Sequence, residues 1–215
     1  MGSIQLLAVL VSALVSLTSR ADGLPYAPSF PLRLAEAALA RTQQAVTYDG
    51  RYVRITYPGG DVPSHIGVCT DVVIRAYRQV GVDLQREVHE EMRVAFDAFP
   101  QLWGLSRPDP NIDHRRVPNL RRFLERRGID LPVTGDPADY RAGDLVTWLL
   151  AGRLPHIGIV VAEQSPGGQR PLIVHNIGEG PELADVLFSY PITGHYRYLP
   201  DTGKRLAPDQ LGATK

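Results

Sequence analysis

Apolar residues recur with two different periods along the 215-residue chain, a helical one in the middle and a strand-like one in the last third. Leu32, Leu34, Ala37, Ala38 and Leu39 mark an amphipathic helix that Ser29 can cap and that is expected to reach about Val46. Residues 48–57 alternate in strand fashion, and the Pro- and Gly-rich residues 58–63 form a turn-rich loop that delivers the chain to Cys69. Val72, Val73, Ala76, Tyr77 and Val80 then fall three, four, seven, eight and eleven positions beyond Cys69, one face of a helix that Gly81 ends. A second helix is expected over 84–99, an irregular connection over 100–118 and a basic helix over 118–127, closed by Gly128. Residues 82–130 thus form a helical insertion. After it, residues 144–150, 156–162, 172–177 and 192–199 are short β-rich apolar runs separated by Gly, Pro and Ser. Helices first and strands later predict an α+β domain, not alternating βαβ units.

The first residues stand apart. Residues 4–17 are almost wholly apolar, too short to span a bilayer, and lead into Ser19-Arg20-Ala21, small residues suited to signal cleavage. The expected organisation is a signal peptide over 1–21, one domain over 22–200 and a short tail over 201–215. An uncleaved N-terminal anchor is the alternative; either implies export to the periplasm or envelope. No later segment is apolar enough to span a membrane. The 23 basic and 23 acidic residues balance, so no basic surplus points to nucleic acid.

Export makes the single cysteine informative, because Cys69 cannot form an intrachain disulfide. It is a buried inert thiol, a link between chains, or a nucleophile. At the first turn of a helix, free N–H groups and the helix dipole favour the thiolate. His156 opens an apolar strand where an imidazole has no evident packing role. Alternation places His156, Gly158 and Val160 on one face, so Gly158 leaves room beside the ring. The next strand carries His175 and Asn176 on opposite faces, and either could orient His156. Thiol activation requires a base that takes the Cys proton and a third group that fixes that base.

Gly67-Val68-Cys69-Thr70-Asp71 at a helix start, Arg141-Ala142-Gly143-Asp144-Leu145-Val146 before a strand, His156-Ile157-Gly158-Ile159-Val160 on the next and Ile173-Val174-His175 after it resemble, in order, the NlpC-type papain-like cell-wall peptidases. With the residues Tyr57-Pro58-Gly59-Gly60-Asp61-Val62-Pro63 ahead of the cysteine, the chain looks like a poorly characterised bacterial branch of that superfamily known as a domain of unknown function. The resemblance implies a papain-like domain in which Cys69 is the nucleophile, His156 the base and His175 the orienting residue. It also implies amide hydrolysis in peptidoglycan peptides through an acyl-enzyme, without a cofactor. An acyltransferase, or an envelope-binding module that has kept the shell and lost the chemistry, are the competing readings. The insertion over 82–130 departs from the relatives and bears on the substrate groove.

Asp71, four residues before Arg75, is expected to form a helix ion pair or a first-turn dipole contact, with substrate binding as its alternative. Tyr48 and Tyr52 could donate near an oxyanion, although strand tyrosines usually pack. His65 is expected in solvent, and Asp113-His114-Arg115-Arg116 with Arg121-Arg122 on a solvated face. The histidines lack the close spacings of a zinc site, and no metal is expected.

Overall fold

The computed structural model describes residues 28–200. The expected signal peptide over 1–21 and the tail over 201–215 lie outside them. Four helices, α1 (Phe30–Arg41), α2 (Cys69–Gln79), α3 (Leu84–Val94) and α4 (Val117–Arg127), accompany a parallel two-residue ladder, β1 (Thr47–Tyr48) with β2 (Ile66–Gly67). The remaining strands are β3 (Ile129–Leu131), β4 (Leu145–Leu150), β5 (Leu154–Gln164), β6 (Pro171–His175), β7 (Glu182–Ala184) and β8 (Ile192–Arg197). They form one antiparallel sheet in the order β3-β8-β4-β5-β6-β7. The chain is α+β, as its two apolar periods require.

Sheet alternation creates two apolar layers. Leu145, Ile157, Ile159, Val161 and Val174 pack with Leu34, Val72, Val73, Tyr77 and Phe123 from the helices. On the other face Val146, Trp148, Val160 and Ile173 pack with Tyr140 and Leu187. Helix α2 is the centre of the first layer: residues 69–77 are all buried, and the helix touches α1, α3, β5 and β6. The predicted apolar face of α2 is therefore real, and the polar positions between its apolar residues are covered too.

Three expected elements end early or do not form. Helix α1 stops at Arg41, because the N–H groups of Thr42, Gln43 and Gln44 turn back to the carbonyls of Leu39, Ala40 and Arg41. Helix α3 stops at Val94, and Phe96–Ala98 continues as a 3-10 turn. The strand expected over 48–57 reduces to Thr47–Tyr48. Beyond it, side chains take the backbone groups a strand would have used: Arg115 binds the carbonyls of Asp49 and Arg51, and Asn111 Oδ1 accepts the Ile55 N–H.

Candidate active site

Cys69 is the first residue of α2, 4% exposed, and its sulfur faces the N–H groups of Ile157, Thr70 and Cys69 itself. The contact with Ile157 follows from strand register. Val160 exchanges backbone bonds with Asp144 and Gly143 on the β4 side, so the alternate residues 157 and 159 address β6. The β5–β6 ladder pairs Ile159 with Val174; two residues further on, Ile157 lies opposite Asn176, past the end of β6. The start of α2 fills that gap, and the thiol takes the place of a strand partner. Burial nonetheless outweighs these donors, the nearby Asp71 charge adds to it, and the thiol is pushed up to about 12.

His156 and His175 project to the other face of the sheet. His156 lies against Trp148, ring centroids 5.9 Å apart, and edge-on to His175 at 5.2 Å. Its Nε2 is 3.4 Å from His175 Nδ1, its one side-chain hydrogen bond among the described residues. Gly158 makes this approach possible: a Cβ there would stand 2.6 Å from Ile173 Cγ2 and 3.2 Å from His175 Cβ. The glycine makes room for the neighbouring strand's side chains, and through them for the imidazole pair. Burial lowers His156 to about 3, with His175 adding to it, and burial lowers His175 to about 4. At neutral pH both rings are uncharged.

The pair has a directional sense. If Nε2–H of His156 donates to His175 Nδ1, then His156 Nδ1 keeps a free lone pair and His175 carries its proton on Nε2. That buried Nε2 has no hydrogen-bond partner among the described residues, and Glu182 Oε1 stands 4.0 Å from it, on the residue paired with His175 across β6 and β7. Asn176 goes elsewhere: its Oδ1 accepts the N–H groups of Gly178 and Gly180 and shapes the loop into β7. Of the two candidates for third residue, the fold thus brings His175 to His156. Cys69 lies beside the backbone next to His156 but makes no hydrogen bond to its ring.

Asp71 does not pair with Arg75. Its Oδ2 accepts the Val68 N–H at 2.7 Å, and both oxygens receive the Arg115 guanidinium at 2.9 Å. Arg75 turns to Asp61 and to the carbonyls of Val62, Pro63 and Ile66. With Asp71 2% exposed and its oxygens taken, the residue holds the helix start and is closed to a substrate. The expectation of a solvated Asp113–Arg116 segment is likewise overturned: Asp113, His114 and Arg115 are buried, and Thr70 Oγ1 donates to the Arg115 carbonyl. Arg115 is the residue that sequence reasoning missed, since nothing in a polar run distinguishes a solvated arginine from one aimed at a buried carboxylate. Arg121 reaches the Thr193 carbonyl, and Arg122 the Ala98 carbonyl.

Tyr48 is 43% exposed and adjacent to the thiol, its hydroxyl shifted upward by burial and then by the charges of Cys69 and Asp71. Tyr52 stands elsewhere, donating to Asp109 Oδ2 and accepting from Asn111 Nδ2. His65 is exposed, as expected.

The chain belongs to DUF1287, a family described as a domain of unknown function, whose sequence profile matches residues 35–198. It is 50% identical over 167 residues to the uncharacterised protein YijF of Escherichia coli strain K12, across 78% of this chain and 81% of that protein. The matched region contains Cys69, His156, His175 and Glu182.

Proposed function

We propose that this protein is a cysteine hydrolase of the NlpC-type papain-like superfamily that cleaves an amide bond in peptidoglycan peptides or a related envelope substrate. The observation that carries this reading is the His156–His175 hydrogen bond on strands next to a helix-initial cysteine; the tautomer in which His156 donates from Nε2 leaves its Nδ1 as the base. His156 Nδ1 takes the Cys69 proton as Sγ attacks the amide carbonyl, and the developing oxyanion is held by backbone N–H groups at the start of α2. The same imidazole returns the proton to the leaving amine, and water then releases the acyl group from sulfur. Burial raises the thiol and lowers the imidazole, which favours proton removal during attack over a preformed ion pair. The envelope location rests on the leader pattern of the first residues, the peptide substrate on the motifs shared with cell-wall peptidases. Acyl transfer to an amine or hydroxyl would use the same first step.

The high thiol pKa and the lack of a hydrogen bond between Cys69 and the His156 ring favour one alternative, an envelope-binding module on the same shell. Purified peptidoglycan fragments incubated with wild type and Cys69→Ala and read by mass spectrometry separate the two. New peptides formed by wild type alone identify the hydrolase and its bond; fragments bound intact by both proteins identify the module.

A further inference from the structure

Away from the thiol, a cleft of about 680 Å³ opens between the segment around Arg54, helix α3 and the loop 105–111. That volume lies within the roughly 300–1,000 Å³ typical of small-molecule sites. Three guanidiniums, of Arg54, Arg93 and Arg107, line it, and none makes an ion pair or a side-chain hydrogen bond with another described residue. Several arginines elsewhere in the fold are paired: Arg75 with Asp61, Arg115 with Asp71, Arg126 with Glu91, Arg170 with Asp185 and Arg197 with Asp144. The acidic residue lining the cleft, Asp109, is already committed, its oxygens accepting from Tyr52 Oη and from the backbone and side chain of Asn111. Three cations therefore face one satisfied carboxylate.

The frame behind the three arginines is held by hydrogen bonds. Gln85 Nε2 donates to both the Thr56 and Pro110 carbonyls, and Asn111 Oδ1 accepts the Ile55 N–H, so α3 and the two loops are tied to one another. The backbones bearing the arginines consequently have fixed separations before any ligand arrives, which lowers the ordering cost of binding. His89, in edge contact with Tyr57 at 4.8 Å, adds a buried Nδ1 that has no partner among the described residues. Guanidiniums offer forked pairs of donors that match carboxylate and phosphate oxygens.

We propose that this cleft binds a small multiply charged anion, one carrying two or more carboxylate or phosphate groups, at a site separate from Cys69. The inference does not depend on the hydrolase reading. Isothermal titration of the purified protein with citrate and with pyrophosphate tests it and distinguishes the two chemistries, glycerol serving as the uncharged control. At low salt at least one anion should bind one-to-one with Kd of about 1 mM or tighter, and more weakly as salt is raised. Arg93→Gln and Arg107→Gln should each weaken it about tenfold, while Cys69→Ala should bind as wild type does. The His89 ring resonances of the wild type should shift on titration, an observation that needs no variant to fold. Absence of binding by both anions below about 10 mM, equal affinity in the arginine variants, unmoved His89 resonances, or loss of binding in Cys69→Ala would each overturn the proposal.

Discussion

At the scale of single residues, the site is built from groups whose burial opposes the charges that a thiolate–imidazolium pair requires. Cys69 is raised to about 12 and His156 lowered to about 3, so the protein should hold a protonated thiol at neutral pH. The rate of Cys69 alkylation by iodoacetamide should accordingly climb about tenfold per pH unit between pH 7 and 9. A rate already level from pH 5 upward would mean a preformed ion pair and contradict this. Loss of the base and loss of its orienting neighbour should also differ in degree. His156→Ala should lower turnover by about 10⁴-fold, at the upper end for general-base catalysis, and His175→Ala by about 10²-fold. Glu182→Gln should change it by about fivefold at most, since a half-exposed carboxylate at 4.0 Å interacts weakly. Asn176→Ala should instead lower stability by about 1–2 kcal/mol through the loop bonds to Gly178 and Gly180. Turnover and urea melts of the four variants check these expectations; an inactive but stable Asn176→Ala would transfer the orienting role to the amide.

At the scale of elements, the start of α2 is the piece whose position matters most, and a buried ion pair sets it. Asp71 holds the N–H of Val68, the N-cap of its own helix, and Arg115 from outside it, and Arg115 in turn grips the Asp49 and Arg51 carbonyls. One guanidinium thereby joins the segment bearing Tyr48 to the helix bearing Cys69. Arg115→Ala leaves the Asp71 carboxylate without its partner in a site 2% exposed, and should cost about 3–5 kcal/mol in chemical denaturation. Adding Asp71→Asn to Arg115→Ala removes the stranded charge and should recover part of that loss. A single variant as stable as wild type would show that the pair contributes little to folding. Sheet register has a comparable hold on the histidines, because Gly158 is the residue that lets β6 side chains close over His156.

At the scale of the whole molecule, three histidines buried without charge make folding sensitive to acid. His156 is lowered to about 3, His175 to about 4 and His114 to about 4, each first of all by burial. The unfolded chain takes up protons near pH 6.5 while the folded one refuses them, so it binds more protons between there and pH 3 to 4. Stability tied to these groups is therefore fully present above about pH 6.5 and lost as pH falls through that window. Each contributes about 1.4 kcal/mol per pH unit, or about 4 kcal/mol per unit together near pH 5. Asp113, whose carboxyl burial raises, acts in the opposite direction towards the acid end. Urea midpoints should fall steadily from pH 7 to 5, and His156→Gln/His175→Gln should flatten the slope; a midpoint unchanged at pH 5 would refute it.

Period alone determined much of this protein. Apolar spacing after Cys69 fixes a helix with the cysteine at its first turn, and the β-rich runs at 144–150, 156–162 and 192–199 find β4, β5 and β8 with ends displaced by up to two residues. The α+β class follows from the order of those periods, and His156 was visible because a polar ring in an apolar strand lacks a local reason. The tertiary structure decided everything that depends on partners distant in sequence. Residues 49–56 alternate like a strand yet have no neighbouring strand, because Arg115 and Asn111 claim their backbone groups. Alternation left His175 and Asn176 equal, and register selected His175 by placing it across from Gly158, where no side chain intervenes. The Asp71–Arg115 pair spans 44 residues. A local period cannot encode it, because hydrophobic spacing records which face of an element is covered, not which charge from another part of the chain will cover it.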